Sequence, residues 1–205
     1  MESHNCWHCG KQAAESLFCR YCNSLQRPKQ DYFRFMGLEP RLNLDAAELQ
    51  KRFYSLSRLL HPDRFNRASA TEKQYSLEAT AILNDAYRTL RDPVTRAEYM
   101  LQEEGFENGV HNNKEVPPEL LEEVFDLNMA LEELRGGDHG ARPQLERARE
   151  RFLGLRREVD ESLKKLYTAY DATKDRQRLV EIRGLLNRRR YIQNLVSEVE
   201  KELAP

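Results

Sequence analysis

The sequence predicts an all-α protein, in which a helical hairpin is followed by a three-helix bundle and a small cysteine-rich knuckle precedes both. Three observations predict this fold. Long stretches repeat apolar residues at spacings of three and four, which is the period of an amphipathic helix. The tripeptide His61-Pro62-Asp63 separates two of these stretches, and proline cannot continue a helix. All four cysteines lie near the N-terminus as two CxxC pairs.

The composition disfavours several classes of protein. Of the 205 residues, 40% are hydrophobic and 33% are charged, and the formal net charge is -1. A nucleic-acid binder that relies on a positive field along the whole chain is therefore disfavoured. No apolar run approaches the roughly 18 residues of a membrane span, and residues 1–6 resemble neither a signal segment nor an arginine-rich presequence. We expect a cytoplasmic protein, or a mitochondrial-matrix protein if a presequence has been removed.

Residues 1–27 contain the motifs Cys6-x-x-Cys9 and Cys19-x-x-Cys22. Two such pairs, about ten residues apart, present four thiolates from two turns, which is a ligand set for a tetrahedral structural zinc ion. The segment has too few apolar residues for its own core, so metal binding should supply most of its folding free energy. Disulfides or a redox-active dithiol are the alternatives. The lack of a secretory signal and of a strand-helix pattern disfavours both.

The helical hairpin lies within a predicted set of four helices. A short aromatic helix is expected at 31–38, closed by a glycine. Asp45-Ala46-Ala47-Glu48 has capping-box spacing and starts the next helix, which must stop before Pro62. Thr71-Glu72-Lys73-Gln74 offers a second capping box for the helix that follows, and Asp92-Pro93 starts the fourth.

Four sequence motifs of this region resemble the J-domain family, over roughly residues 31–104. The motifs, in chain order, are Asp31-Tyr32-Phe33, His61-Pro62-Asp63, Asn84-Asp85-Ala86-Tyr87 and Leu90-Arg91-Asp92-Pro93-x-x-Arg96-x-x-Tyr99. The resemblance implies a domain that docks to a DnaK-type ATPase chaperone. In that family the residues that correspond to His61, Pro62 and Asp63 contact the chaperone and stimulate its ATP hydrolysis.

The resemblance also implies a role for the basic residues of the second helix, Lys51, Arg52 and Arg58, in meeting an acidic surface of the chaperone. Without the adjacent tripeptide these residues would be interpreted as a solvated face. His61 and Asp63 have neither a nucleophile nor a phosphate-binding loop beside them. The sequence therefore predicts no catalytic residues and no enzyme, but an activator of a partner's ATPase.

Residues 116–205 predict a three-helix bundle, from periodic stretches at about 117–135, 143–170 and 175–203. The first helix carries two apolar stripes. The core stripe consists of Leu120, Val124, Leu127, Leu131 and Leu134. The second stripe, Leu121, Phe125 and Met129, falls on another side and is bordered by Glu122, Asp126 and Glu133. Periodicity leaves two interpretations open, a docking surface for a partner and packing against a neighbouring element.

A J-domain followed directly by a short helical bundle resembles the HscB-type co-chaperones of iron-sulfur cluster assembly, and the four cysteines resemble the zinc-binding extension of some members. The resemblance implies that the bundle binds an IscU-type scaffold and presents it to a HscA- or DnaK-type chaperone. The implied scaffold-binding residues are Leu121, Phe125, Asp126, Met129, Glu133 and Tyr191. The chain departs from the family at Glu122, where an apolar residue is usual, and at Met129, where an acid is usual.

Two other functions remain open from the sequence. One is a general J-domain protein whose bundle binds unfolded clients or organises an assembly. The other is a zinc-ribbon adaptor for nucleic acid, for which Arg188-Arg189-Arg190 would be the basic segment. Because acidic residues are spread through the same bundle, we interpret this segment as a solvated or salt-bridged face and expect neither a nucleic-acid nor a membrane partner.

Overall fold

The computed structural model describes residues 4–13, 16–106, 116, 118–137 and 139–204. The chain divides into two compact units, Met1–Tyr99 and Met100–Pro205. Apart from one very short strand pair, the regular structure of the described residues is helical, which confirms the predicted all-α class. Within the described ranges, no helix combines the length and the apolar content that a membrane crossing requires.

The first unit contains the N-terminal knuckle and the helical hairpin. Strands β1 (His4–Asn5) and β2 (Gln12–Ala13) pair antiparallel in the knuckle. The helices of the first unit are α1 (Tyr32–Phe35), α2 (Ala46–Leu60) and α3 (Ala70–Arg91), and α4 (Pro93–Glu103) begins in this unit and ends in the second. Helices α1 and α2 both pack against α3, so α3 is the central helix of this unit.

Helix α2 begins and ends where the sequence predicts. The side chain of Asp45 accepts hydrogen bonds from the backbone N–H groups of Ala47 and Glu48, which otherwise have no partner within the helix. The helix ends at Leu60 because the next residues enter a short 3-10 turn, Pro62–Phe65. His61, Pro62 and Asp63, which we call the HPD turn, therefore lie at the tip of the hairpin.

Helix α3 begins earlier than its predicted capping box. The hydroxyl of Ser69 accepts from the N–H of Glu72 and donates to the Glu72 carboxylate, so the box is Ser69-x-x-Glu72 and the one expected at Thr71–Gln74 is wrong. Both segments have the required spacing. The earlier start extends the helix and also places the Glu72 carboxylate within reach of the Leu25 N–H, 3.3 Å away.

The core of the helical hairpin is formed by the facing stripes of α2 and α3. Its buried apolar residues include Leu49, Leu60, Ala79, Ile82, Leu83, Ala86 and Leu90. Arg96 of α4 connects segments around this core, because its buried guanidinium donates to the carbonyl oxygens of Leu42 and Leu90. Burying a charge this way is tolerable because both carbonyls satisfy it.

The second unit contains the predicted three-helix bundle. After a 3-10 turn at Pro118–Leu120, its helices are α5 (Leu121–Arg135), α6 (Arg142–Thr173) and α7 (Arg176–Leu203). Between the last two, Lys174 adopts a left-handed conformation that ends α6, and Asp175 caps α7. The buried core includes Leu120, Val124, Leu127, Leu131, Leu145, Phe152, Val159, Leu163, Tyr170, Ile182, Leu186, Ile192, Val196 and Val199.

Candidate metal centre and docking surfaces

The two CxxC halves of the knuckle have nearly the same backbone geometry. In the first, Gly10 N–H donates to Cys6 O over 2.9 Å and Cys6 N–H donates to Lys11 O over 2.8 Å. In the second, Asn23 N–H donates to Cys19 O over 2.8 Å. Gly10 and Asn23 both have positive φ, a conformation that glycine and asparagine tolerate best. Each half is thus a tight turn that directs two sulfur atoms to the same side.

The four sulfur atoms lie close enough together to bind one metal ion. Sγ of Cys6 is 3.7 Å from Sγ of Cys22, and Sγ of Cys9 is 3.8 Å from Sγ of Cys19. All four sulfurs lie within 4.8 Å of one another. An ideal tetrahedron with metal-sulfur bonds of about 2.3 Å has edges of about 3.8 Å. The donor set therefore fits a thiolate-preferring metal ion in tetrahedral geometry.

The surroundings of the Cys6 and Cys22 sulfurs favour ionised thiols. The backbone N–H of His8 donates to Cys6 Sγ over 3.4 Å, and that of Tyr21 donates to Cys19 Sγ over 3.5 Å. Burial acts to raise the pKa of the Cys6 thiol. Hydrogen bonds from the backbone of Cys9 and His8 and from the side chains of Ser24 and Cys22 outweigh burial and lower that pKa to about 5. For Cys22, the hydroxyl and the backbone of Ser24 lower the pKa to about 7.

Cys9 shows the opposite effect within the same cluster. A backbone hydrogen bond from Lys11 acts to lower the pKa of its thiol, but burial and the neighbouring sulfurs outweigh it and raise that pKa to about 11. Adjacent thiolates repel one another, so the protons leave the cluster one after another. A bound cation removes this repulsion, which is the electrostatic reason why four thiolates coexist in metal knuckles. The cysteines are free thiols in the structure rather than disulfides.

The HPD turn is exposed at its tip and firmly held at its base. The N–H of Asp63 donates to His61 Nδ1 over 3.3 Å, and Arg64 N–H donates to His61 O. Behind the turn, the Ser76 and Thr80 hydroxyls donate to the Leu60 carbonyl over 2.6 and 3.3 Å. The two ionisable side chains of the turn, His61 and Asp63, remain exposed to solvent.

The three basic residues predicted on α2 differ in their surroundings. Lys51 and Arg58 are exposed, and Arg58 Nε donates to the Tyr54 carbonyl of its own helix. Arg52 is half-buried: its guanidinium pairs with Glu48 and donates to carbonyl oxygens at the end of α1. Arg52 therefore ties α1 to α2, whereas Lys51 and Arg58 present their charges outward.

The second apolar stripe of α5 is exposed. The exposed fractions are 56% for Leu121, 63% for Phe125 and 48% for Met129. We call these three residues the exposed stripe. Packing against a neighbouring helix of the bundle is therefore wrong for these side chains, because large apolar groups that pack in the core of their own unit are shielded from water.

A groove between α5 and α6 borders the exposed stripe. Its α5 wall carries the acids Glu122, Asp126 and Glu133, and its α6 wall carries Arg147 and Arg151. The rim therefore carries charges of both signs, whereas the sequence of α5 alone indicates an acidic rim.

Tyr191, the sixth predicted scaffold-binding residue, lies half-buried on α7. Burial, with the negative charge of Glu198, raises the pKa of its hydroxyl. The groove beside the exposed stripe is lined from α5 and α6, and Tyr191 is not part of its lining.

Periodicity missed the residues that hold the two sites in place. The spacing of Tyr75 from Ala79 and Ile82 predicts a place on the core face of α3, but the Tyr75 ring contacts the Trp7 ring of the knuckle, with centroids 6.0 Å apart. It gave no role to Ser76 and Thr80, which hold the base of the HPD turn. Two hydroxyl residues four apart on an otherwise apolar helix face are the signal that could have found the latter pair.

Comparisons with known proteins agree with both units. Residues 31–99 match the DnaJ domain family, and residues 116–200 match the HSCB C-terminal oligomerisation domain family. An HPD turn within a DnaJ domain, followed by this C-terminal domain, defines the class of J-domain co-chaperones. The chain belongs to the HscB family within that class.

Individual relatives give the extent of the similarity. The mouse protein named iron-sulfur cluster co-chaperone protein HscB is 28% identical over 98% of this chain and 83% of its own length. A co-chaperone protein HscB homolog from Aromatoleum aromaticum is 36% identical over 65% of this chain and 78% of its own length. The crystal structure of human co-chaperone protein HscB superimposes with a TM-score of 0.69, with 28% identity over 97% of this chain and 98% of that one.

Proposed function

We propose that this chain is a co-chaperone of iron-sulfur cluster assembly that activates one partner and delivers another to it. The first unit stimulates the ATPase of a DnaK- or HscA-type chaperone. The second unit binds an IscU-type scaffold and brings it to that chaperone, which promotes cluster transfer. The observation that carries the proposal is that the chain has two exposed surfaces of different chemistry on separate units, the HPD turn and the exposed stripe of α5.

The chaperone-binding surface consists of the HPD turn with Lys51 and Arg58 of α2. His61 Nδ1 lies 3.3 Å from the Asp63 backbone nitrogen and 3.5 Å from Asp63 Oδ2, so the turn engages Nδ1 and leaves Nε2 for the partner. Lys51 and Arg58 add positive charge that speeds association with an acidic surface. Arg52 belongs to this surface by sequence position, but its hydrogen bonds give it the separate task of fixing α1 on α2.

The scaffold-binding surface consists of the exposed stripe and its acidic rim, Asp126 and Glu133. Apolar residues at the centre with charged residues at the edge are the usual composition of a protein-protein interface. Because Arg147 and Arg151 of α6 line the same groove as these acids, its partner should present an apolar patch with charges of both signs at its edge. Tyr191 remains a proposed member of this surface, contributed by α7 and outside the lining of the groove.

We assign residues 1–27 to a structural zinc knuckle, 31–104 to the J-domain and 116–205 to the scaffold-binding bundle. Zinc is the metal that four thiolates in tetrahedral geometry hold most commonly. Residues Cys6, Cys9, Cys19 and Cys22 would hold it, and its role would be to fix the two turns of the knuckle. The location that follows is the compartment of the chaperone and scaffold, the bacterial cytoplasm or the mitochondrial matrix.

The chaperone arm is tested by single-turnover ATP hydrolysis of a purified DnaK- or HscA-type chaperone. The parent chain should accelerate hydrolysis, and His61→Gln should abolish the acceleration because the HPD turn loses its exposed imidazole. Val180→Ala, a change of an exposed apolar side chain on α7 of the second unit, is the control and should behave like the parent. An unaltered rate with His61→Gln would contradict the proposal.

The scaffold arm is tested by calorimetry with a purified IscU-type scaffold. The double variant Leu121→Ala/Phe125→Ala should weaken binding at least about tenfold, since interface anchors of this kind contribute on the order of 1–2 kcal/mol each. Val180→Ala again controls for the loss of an exposed apolar side chain. If the chaperone is stimulated but no heat is released with the scaffold, the general J-domain protein is the better description.

A further inference from the structure

The knuckle contacts the first turns of α3 through two interactions. The Trp7 ring packs edge-on against the Tyr75 ring, with 86° between the ring planes. The N–H of Leu25 donates to Glu72 Oε1 over 3.3 Å. Leu25 is fully buried, and its carbonyl accepts the Trp7 indole N–H over 2.8 Å. Trp7 and Leu25 thus form one contact surface, assembled from both halves of the knuckle.

Glu72 links this contact surface to the loop that follows the HPD turn. Its other carboxylate oxygen, Oε2, accepts from the Ser69 hydroxyl over 3.3 Å, and its N–H donates to the same hydroxyl over 3.2 Å. One carboxylate therefore joins the knuckle to the capping box of α3. Ser69 marks the end of the loop that begins at the HPD turn.

The same turns of α3 also hold the base of the HPD turn. Ser76 is completely buried, and its hydroxyl donates to the carbonyl of Leu60, the residue directly before His61. Tyr75, which contacts the knuckle, is its immediate neighbour in the chain. The knuckle contact and the support of the HPD turn therefore depend on the same segment of helix.

We propose that metal binding in the knuckle orders the HPD turn through the start of α3. A knuckle of this size folds only with its metal, so loss of the metal removes the Trp7 and Leu25 contacts together. The first turns of α3 then fray, because helix ends open locally when tertiary contacts are lost. The HPD turn loses the Ser76 hydrogen bond behind it and becomes mobile. This proposal rests on the metal centre proposed above, but on neither chaperone nor scaffold.

Coupling of this kind must act in both directions. If the metal stabilises the ordered start of α3, an intact start of α3 must raise the affinity of the knuckle for the metal by the same factor. Two measurements on different sites therefore report one quantity. Neither requires a partner protein.

The first measurement is hydrogen exchange of the full chain, with zinc content determined beforehand by elemental analysis. In the zinc-free chain, the amide of Asp63 in the HPD turn and those of Arg64 and Asn66 directly after it should exchange about 5- to 30-fold faster, the range expected for losing two modest contacts. Peptides from α6 should exchange equally with and without zinc. Equal exchange of the HPD turn in the loaded and zinc-free chains, within about twofold, overturns the proposal.

The second measurement compares two neighbouring substitutions on α3. Tyr75→Ala removes the contact with Trp7 and leaves all four cysteines intact, whereas Leu77→Ala alters a side chain that is 61% exposed. Competition with a chromophoric chelator should show weaker zinc binding for Tyr75→Ala, by at most the factor found in hydrogen exchange because the Leu25–Glu72 hydrogen bond remains, and unchanged binding for Leu77→Ala. The zinc-dependent difference in exchange should shrink in Tyr75→Ala alone.

Each outcome of these experiments decides something different. A Tyr75→Ala variant that keeps the parent's zinc affinity and its zinc-dependent exchange overturns the coupling. A parent chain that binds no zinc overturns both this proposal and the metal centre, whereas a loaded chain with unchanged exchange overturns the coupling alone. If Tyr75→Ala fails to fold, the comparison of the parent with and without zinc still decides the question.

Discussion

Two features of the structure require a glycine at position 37, its backbone conformation and the close approach of Arg52. Gly37 has a φ of +65°, which disfavours any other residue, and a Cβ there would lie 2.9 Å from Arg52 Nη1. The absence of a side chain lets Arg52 reach the carbonyl of Gly37 itself, 2.5 Å away. Arg52 thereby caps the end of α1. Its guanidinium is paired with the Glu48 carboxylate and hydrogen-bonded to the carbonyl oxygens of Met36 and Gly37.

We therefore expect Arg52 and Arg58 to give opposite results when each is changed to glutamine. Arg52→Gln should lower the free energy of unfolding by about 1 kcal/mol, since hydrogen bonds to a charged group are lost, as measured by urea denaturation. Arg58→Gln should leave stability nearly unchanged and weaken chaperone stimulation, most visibly at low salt. Equal loss of stability in both variants would contradict the separation of roles.

Ser76 provides a second prediction about a single residue. Ser76→Ala leaves the buried Leu60 carbonyl with Thr80 alone, so we expect a loss of about 1 to 2 kcal/mol in the free energy of unfolding. The control is Ser55→Ala on the exposed side of α2, which should change stability very little. Urea denaturation of the two variants in parallel measures both, and similar values would show that the Ser76 hydroxyl contributes nothing special.

Between elements, α5 is attached to α6 partly through an ion pair that acid should break. Glu123 Oε1 accepts from Arg151 Nη2 over 2.5 Å, and this hydrogen bond lowers the pKa of the Glu123 carboxyl. A folded pKa below the unfolded value of about 4.3 means that the pair stabilises the protein above that pH. The contribution is lost as the pH falls through the folded pKa.

Glu123→Gln should therefore be less stable than the parent at neutral pH, by about 0.5 to 1 kcal/mol because Arg151 is largely exposed. The difference should vanish in acid, where the parent's carboxyl is protonated too. Glu122→Gln, an exposed neighbour, is the control and should cost less at every pH. Thermal unfolding from neutral to acidic pH measures the difference, and a pH-independent gap would refute the ion-pair account.

The elements themselves were largely predictable because their signals are local. Asp45 and Pro62 determine the ends of α2 through hydrogen bonds and sterics within a few residues, and the sequence locates both. The start of α3 was not predictable, because two capping boxes compete and a tertiary contact of Glu72 accompanies the one that forms. In α7 the apolar period that contains Ile182 and Ile192 predicts Leu185 on the core face, but Leu186 is the buried residue. Adjacent helical positions differ by only about 100°.

The residues of the candidate sites were predictable from the sequence, whereas the contacts that hold those residues in place were not. The cysteines, the HPD turn and the exposed stripe follow from spacing and pattern. The contact of Tyr75 with Trp7 and the burial of Ser76 arise between segments far apart in the chain, so no local pattern contains them. Exposure of the stripe, likewise, depends on which helix faces the bundle leaves uncovered.

At the scale of the whole molecule, the two compact units should not unfold as one. Each has its own core, and the metal centre lies in the first unit, Met1–Tyr99. Unfolding of such a chain is not two-state. The single tryptophan, Trp7, reports on the knuckle and its contact with α3, whereas far-ultraviolet circular dichroism is dominated by helices such as α6 and α7, which have 32 and 28 residues.

Removing the metal should therefore separate the two signals. With a strong chelator, the thermal transition followed by Trp7 fluorescence should disappear, because a knuckle with so few apolar residues does not fold without its metal. The later part of the dichroism transition should keep its midpoint, because the second unit holds none of the four cysteines. Cys9→Ser should reproduce the effect of the chelator in the absence of chelator, and adding chelator to it should change nothing further. A single transition, shifted equally in both signals, would show instead that the units unfold together and that the metal stabilises the whole chain.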